Sequence, residues 1–449
     1  MTSEQALDMD RWARTRRVLR LAIPSAAEAM LGMVVGRVNI YLVGHLGAAS
    51  IAAVGLGWHV ALSVMILFTG VGTGATALVA RMVGADDRAG ANRATMQGLI
   101  VAFLVGVLAT VVLFGLAEPI LRMMGAEGEV LTQAGLFLQA ISAVFWISAI
   151  AFVGSACMRG AGDTRTPMLV MIVVTLVNIA VAWALVEGVG PFPTLGVLGA
   201  GIGSAISRSV GALLITGLLL RGRCGLHLHW HPPDWQIIRR LLRVGLPASL
   251  DQLVHRIGML SFVSIVASLG TASFAAHQIA INAESLSFMP GWGFAMAATT
   301  LVGQGLGAGN GRRAESDAVL TFYIAAAFMS AMGIAFLVFA PQFIGLFSDD
   351  AAVIAAGSMP LRLIGLAQPF LAAMMGFGGG LRGAGDTLSP MWINGGAIWF
   401  LRIPLSLLVT YLLGWGLTGV WMVMSFDLIV RGGLMFWHFR RGRWKTVTV

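Results

Sequence analysis

Charge is scarce in this chain: only 11% of its 449 residues are Asp, Glu, Lys or Arg, against 57% hydrophobic residues and a mean hydropathy of +0.85. A soluble protein of this length could not cover itself with so little polar surface, so a soluble domain is excluded and the surface must face lipid. Cysteine is nearly absent too. Cys157 and Cys224 are the only two, which excludes a disulfide-stapled fold and a thiolate-rich metal centre, and no disulfide is expected between them. The chain also lacks a nucleophile elbow, a P-loop and any spaced set of metal ligands, so no cofactor or metal is expected and an enzyme is disfavoured.

Long apolar runs are what the sequence has in abundance. Twelve are long enough to cross about 30 Å of hydrocarbon, near residues 19–43, 50–80, 94–116, 130–156, 167–187, 196–220, 243–267, 273–304, 317–340, 353–380, 390–413 and 417–439. Arg11, Arg14, Arg16, Arg17 and Arg20 precede the first run, and Arg440, Arg441, Arg443 and Lys445 follow the last. The positive-inside rule therefore predicts cytoplasmic termini. The net charge of +9 is confined to alternate loops, as topology and an anionic inner leaflet require, so nucleic acid is not expected as a partner and the lipid bilayer is. Asp8 and Asp10 beside the arginines, with a first apolar stretch too long for a cleavable signal, predict an uncleaved start.

The chain is also a duplication. Arg159-Gly160-Ala161-Gly162-Asp163-Thr164 returns as Arg382-Gly383-Ala384-Gly385-Asp386-Thr387, an offset of 223 residues, and the same offset pairs Pro24 with Pro247, Glu28 with Asp251 and Arg208 with Arg431. The expected division is an N-terminal lobe over 1–223, a cytoplasmic linker over 224–240 and a C-terminal lobe over 241–449. Each copy has an even number of spans, so the repeats are parallel, related by an axis along the membrane normal, with a substrate site expected at their interface. The linker alternation His227-Leu228-His229-Trp230-His231 puts three imidazoles on one side of an extended strand; a solvated linker ended by Pro232-Pro233 is the simpler account. The Gly-Ala-Gly-Asp sequence also resembles one half of an intramembrane aspartyl protease site. That chemistry needs a second aspartate after a tyrosine, and Tyr41, Tyr323 and Tyr411 are each followed by Leu or Ile. A tight glycine turn with Asp163 capping the helix that begins before Pro167 is the expected role.

The two six-span copies, the RGAGDT ending the fourth span of each, Val43-Gly44-His45-Leu46-Gly47 after the first, and Ala275-Ala276-His277-Gln278-Ile279-Ala280 through Leu301-Val302-Gly303-Gln304 in the eighth resemble the multidrug and toxic compound extrusion family over the whole chain. The resemblance implies an all-α integral membrane protein of twelve transmembrane helices, arranged as two parallel six-helix repeats in a V-shaped two-lobe transporter. It implies a bacterial cytoplasmic membrane, a monomer, and export of small amphiphilic or cationic molecules in exchange for H+ or Na+ by rocking of the lobes.

An ionisable group inside a membrane is a functional candidate by default. Glu28, Asp251, Glu284 and Asp427 qualify; Glu284 is matched by Ala61 in the other copy, whereas Asp427 has Arg431 one turn away. Asp251 with His255, and His277 with Glu284, share helix faces and suit proton exchange near neutral pH. Asn39, Asn178, Gln278, Asn282, Trp58, Trp292 and Met289 are candidate linings of the cleft, the aromatic and thioether groups for a flat cation, with Trp392 and Met391 behind them. The chain departs from the family where members commonly carry Asp late in the first span: it has Asn39. One branch has Asp four residues after the counterpart of Asn178, where this chain has Ala182; another uses acids at positions aligned here with His255 and Leu371. Asn39 cannot titrate and removes a hard anionic oxygen that a sodium site would use, so H+ is the expected coupling ion. A flippase of the same two-lobe plan, using Arg37, Arg256 and Arg402, and a non-transporting scaffold remain the alternative readings.

Overall fold

A computed structural model describes residues 11–448; Asp8 and Asp10 lie outside the described residues. Helices α1 (Arg11–Leu42), α2 (Ala48–Gly84), α3 (Arg88–Met123), α4 (Gly128–Ser142), α5 (Phe145–Gly160), α6 (Arg165–Glu187) and α7 (Gly196–Leu220) form the first copy. Helices α8 (Trp235–Ala267), α9 (Thr271–Gly307), α10 (Gly311–Gly345), α11 (Ala351–Gly383), α12 (Leu388–Ala397), α13 (Ile403–Leu407) and α14 (Gly416–Arg440) form the second. No strand occurs among the described residues.

The duplication is legible in the caps. Asp87 Oδ1 accepts from Gly90 N at the start of α3 (2.7 Å), and Asn310 Oδ1 accepts from Arg313 N at the start of α10 (2.9 Å). Those two residues are 223 apart, and each satisfies an end N–H that the helix itself leaves open. Among the described residues ten helices are long and apolar enough to cross a membrane, counting Leu388–Leu412 as one span. The span expected over 130–156 is instead a pair, α4 and α5, bent by 53°, whereas its counterpart α11 is continuous despite Pro360 and Pro369. Helix α9 has the 37 residues of α2 but falls short on apolarity, because His277, Gln278, Asn282, Glu284 and several serines dilute it. In the Leu388–Leu412 span, Pro404 lacks the N–H an α-helix would use, and wide π turns at Ile398–Arg402 and Leu408–Leu412 flank it.

The chain forms two compact units, and their limits differ from the expected lobe boundaries. One is Ala27–Ser249; the other is the chain up to Ala26 together with Leu250 onward. The segment expected to join the lobes, 224–240, lies wholly in the first unit, tied to α3 by Asn92 Oδ1 accepting from His227 N (2.9 Å) and by Gln97 bonding Pro232 O and Asp234 N (both 3.0 Å). The passage between units falls inside α1 and α8 instead.

In the first unit α2 packs against α3, α4 and α5, and Phe68 of α2, Phe137 of α4 and Phe145 of α5 are all fully buried. In the second, α9, α10, α11 and α14 enclose Phe262, Phe336, Met329 and Trp421. Close helix approach in lipid requires small side chains, and the repeat supplies them in matched places. Thr76 Oγ1 on α2 donates to Ala156 O on α5 (3.0 Å), and Thr299 Oγ1 on α9 donates to Gly379 O on α11 (2.9 Å). One turn on, a Cβ at Gly160 would lie 2.7 Å from Thr76 O, and one at Gly383 would strike Thr299 O. Gly160→Val and Gly383→Val are each expected to destabilise the protein by about 1–3 kcal/mol through overpacking, with Gly217→Ala, which faces open space, unchanged; thermal unfolding of the detergent-purified protein measures this.

Candidate functional site

Three of the four membrane carboxylates are engaged by arginines. Glu28 Oε1 on α1 accepts from Arg159 Nη1 at the end of α5 (2.7 Å), and Asp251 Oδ2 on α8 accepts from Arg382 Nη2 at the end of α11 (2.7 Å). These are one interaction made twice, 223 residues apart. Asn394 Nδ2 also donates to Asp251 (3.0 Å). Asp427 on α14 accepts from Arg431, the one-turn pair expected, and from Arg402 on the π turn, both at 2.6 Å to Oδ2. Asp427 is fully buried, with Arg402 3% and Arg431 2% exposed, a depth at which removing one partner of an ion pair is far costlier than keeping both. Glu28 and Asp251, expected as coupling groups, therefore have neutralising partners, and the arginine of RGAGDT supplies them.

Glu284 differs. It is buried on α9, and among the described residues it enters no ion pair. The charges of Arg402 and Arg431 nevertheless act on it, and two guanidinium groups sharing one carboxylate oxygen leave a positive charge that Glu284 can balance. The acid–imidazole pairs expected on α8 and α9 are not formed as pairs. His277 Nδ1 accepts from Trp421 Nε1 (3.2 Å) and its ring packs between Phe262 and Trp421, the placement of a histidine that holds helices together. His255 is half-buried within the electrostatic reach of Arg431, Arg402, Asp251 and Asp427, while Asp251 bonds to Arg382 and Asn394.

The corresponding depth of the first unit is neutral. Ser204 Oγ on α7 accepts from Asn39 Nδ2 on α1 (2.7 Å) and Asn178 Nδ2 on α6 (3.3 Å), all fully buried. Among the described residues the Oδ1 atoms of Asn39 and Asn178 meet no hydrogen-bond donor. Ser204 and Arg208 are the counterparts of Asp427 and Arg431, so one repeat has an ion pair where the other has a hydroxyl and an arginine. Arg208 meets no carboxylate within ion-pair distance among the described residues; it lies over the Trp58 ring (5.8 Å) and near Met65 Sδ (3.9 Å), a cation–π placement. Trp58 is half-buried and its ring rests on Gly36 of α1, while Trp292 and Met289 are half-buried, Gln278 is exposed and Asn282 donates to Gln278 O (2.9 Å). Trp392 is 72% exposed. Ser204 escaped the sequence reading because a serine in a membrane helix usually bonds its own backbone. Arg159 and Arg382 were findable, since both pairs keep one separation of 131 residues.

The two RGAGD segments are turns, as their glycines suggest. Gly162 and Gly385 have φ of +96° and +89°, a region L side chains rarely occupy. Asp163 Oδ1 accepts from Thr166 N (3.0 Å) and Asp386 Oδ1 from Ser389 N (3.1 Å), capping α6 and α12. Asp386 also meets His438 Nε2 (3.0 Å), and Cys224 Sγ donates to Asp163 Oδ2 (2.7 Å). No group of three or more His, Cys, Asp or Glu among the described residues is placed to hold a metal ion. In the linker His227 and His229 stack at 6.0 Å and His231 turns to the carbonyl of His229 (3.0 Å).

An all-helical membrane protein of two parallel repeats, with polar groups buried deep in each, is a transporter architecture. Its MatE family model matches residues 24–184 and 247–408, two segments whose starts are 223 residues apart. The chain is 33% identical to the probable multidrug resistance protein NorM of Thermotoga maritima, over 96% of this chain and 93% of that one, and 31% identical to the multidrug resistance protein PmpM of Pseudomonas aeruginosa, over 89% and 86%. A crystal structure of MATE in the bent conformation superposes with a TM-score of 0.90 at 25% identity, covering 96% of this chain and 95% of that one. A transporter of Pyrococcus furiosus, described as having a binding pocket of reverse polarity that suggests a different function, superposes at 0.89 with 26% identity and 97% coverage of both. The chain belongs to the MatE family of membrane transporters; it is not an enzyme.

The capped turn has a chemical signature. Burial pushes the Asp163 carboxyl up, but hydrogen bonds from Cys224 and Thr166 and the Arg223 charge outweigh it and hold it below the usual range. Its contribution to stability is therefore present above the unfolded carboxylate pKa and is lost as pH falls through the lower folded value. Burial and the Asp163 hydrogen bond and charge push the Cys224 thiol up to about 12. Since thiolate is the reactive form, Cys224 is expected to label with maleimide at pH 7.5 roughly 100-fold more slowly than a free thiol, and Asp163→Asn is expected to recover at least about tenfold of that, read by stopped-flow labelling of a Cys157→Ala background.

Proposed function

We propose that the chain exports amphiphilic cations across a bacterial cytoplasmic membrane in exchange for protons, working as a monomer with both termini in the cytoplasm, and that Glu284 takes and releases the proton. One observation carries this reading. Of the four carboxylates in the spans, Glu284 alone is buried with no ion pair among the described residues, and its helix α9, for all its 37 residues, is not among those apolar enough to cross a membrane. Its counterpart Ala61 rules out a role that the repeat architecture needs twice. Glu284 is buried within electrostatic reach of Arg402 and Arg431, so a change in solvent access between facing states can tip its protonation. The relatives carrying multidrug resistance names support a drug-like cargo. Asn39, a neutral amide, leaves the first unit without the hard anionic oxygen a sodium ion favours.

A second reading, in which the cargo bears negative charge, is favoured by Arg208, which meets Trp58 rather than an acid, and by the reversed pocket polarity described for the Pyrococcus relative.

In proteoliposomes at fixed membrane potential, cationic-dye transport is expected to follow an imposed pH gradient and ignore a sodium gradient. Glu284→Gln should reduce pH-driven transport at least about tenfold in protein that purifies normally and binds dye within about threefold of wild type. Transport that follows sodium instead, or a Glu284→Gln protein that transports normally, defeats the proton reading. Movement of an anionic dye and not the cationic one selects the second.

A further inference from the structure

We infer that Glu28–Arg159 and Asp251–Arg382 are paired anchors that confine bending to the two points where the chain passes between its units. The chain changes unit only twice, after Ala26 and after Ser249, and both passages lie within unbroken helices, α1 and α8. No loop is available at either to absorb a change of angle. Three residues before each passage stands a proline, Pro24 or Pro247, which has no N–H to give to the helical ladder and softens the helix there.

Each helix is held on both sides of that soft point. Before it, the stretch of α1 that belongs with the second unit lies so close to α9 that a Cβ on Gly293 would come within 2.5 Å of Ala22 O, and Arg14 bonds Asp317 (2.9 Å) and Ser316 (2.6 Å) while Arg17 bonds Gln304 (2.8 Å). The stretch of α8 that belongs with the first unit meets α2 in the equivalent place, where a Cβ on Gly70 would lie 2.6 Å from Gly245 O. Gly70 and Gly293 are 223 residues apart. After the soft point, the second residue of the new unit is Glu28 in α1 and Asp251 in α8, each bound at 2.7 Å by an arginine from the last turn of a helix of that unit. The arginines are themselves well fixed, because the next residues form the capped glycine turn. A charge-assisted bond in a low-dielectric setting is directional and short, so residues 24–28 and 247–251 are left as the segments free to change angle. This gives RGAGDT a task beyond its turn: its arginine is a positioning residue for the movement between facing states, and in that respect the inference rests on the transport reading.

The test uses the full chain in nanodiscs with Cys157→Ala and Cys224→Ser. Spin labels at Trp12→Cys and Tyr41→Cys, both exposed, span α1; labels at Trp235→Cys and Ser264→Cys span α8. Each pair is 29 residues apart, about 44 Å in a straight helix. Glu28→Gln is expected to at least double the width of the α1 distance distribution and leave that of α8 unchanged; Asp251→Asn should do the converse. The exchanged pair Glu28→Arg with Arg159→Glu should restore the narrow α1 distribution, and the conservative Glu28→Asp should fall between, which keeps the test decisive if Glu28→Gln folds poorly. In proteoliposomes, Glu28→Gln should lower the maximal transport rate about tenfold with half-saturating cargo concentration within twofold. Widths that stay unchanged, or that broaden equally in both helices for either variant, overturn the anchors. If wild type transports nothing while the widths respond as described, the export reading falls and the anchors stand.

Discussion

A guanidinium group in hydrocarbon has to meet a carboxylate, a ring or water, and this protein is organised around how its arginines solve that problem. Arg159 and Arg382 reach back to the first helix of their own repeat. Arg402 and Arg431 converge on one oxygen of Asp427. Arg208, the counterpart of Arg431, has lost its acid to Ser204 and lies over Trp58 instead. The pattern sorts the buried charges into those that both copies retain and those that one copy has changed. Retained pairs belong to the scaffold, since both repeats need them; changed positions are where the two units became chemically unequal.

That sorting leaves the second unit with acids, Asp427 and Glu284, where the first has the neutral Ser204 and Ala61. Asn39, Asn178 and Ser204 form an amide–hydroxyl cluster, whereas the second unit has two arginines, one aspartate and Glu284 at similar positions along the repeat. Helix α9 has given up apolarity relative to α2 to accommodate this. The π turns around Pro404 belong to the same change. An extra residue per turn rotates the remainder of the helix about its axis, and Arg402 at the end of the first π turn is the residue brought to Asp427.

Much of this could be read from the sequence, for reasons that are physical. Membrane character follows from the missing charge and the repeat from one recurring offset, so the helical membrane fold, the two glycine turns and the Asp163 cap are legible in the sequence. The bend between α4 and α5 is not, because Ala143 and Val144 carry no proline or glycine to announce it. Unit boundaries were misplaced for a related reason: a polar, proline-ended stretch such as 224–235 looks like a connection whether or not it is one, and only its bonds to Asn92 and Gln97 show that it is held to the first unit. Among site residues, the acids were found by type alone, but which acid is engaged depends on partners 131 residues distant. His277 illustrates the limit. Helical spacing sets it on one face with Glu284, yet Trp421, on a helix far along the chain, claims its ring nitrogen.

The division of α1 between two units has a consequence for synthesis. Its leading stretch leaves the ribosome about three hundred residues before the surfaces that receive it, Gly293 on α9 and Asp317 on α10. During that interval the first unit can complete most of its packing, and Glu28 can already meet Arg159. The arginine-rich stretch ahead of it has only lipid headgroups and water for company. Assembly of this protein is thus ordered by its topology: the leading stretch of α1 has to wait for helices of the second copy before it can be received.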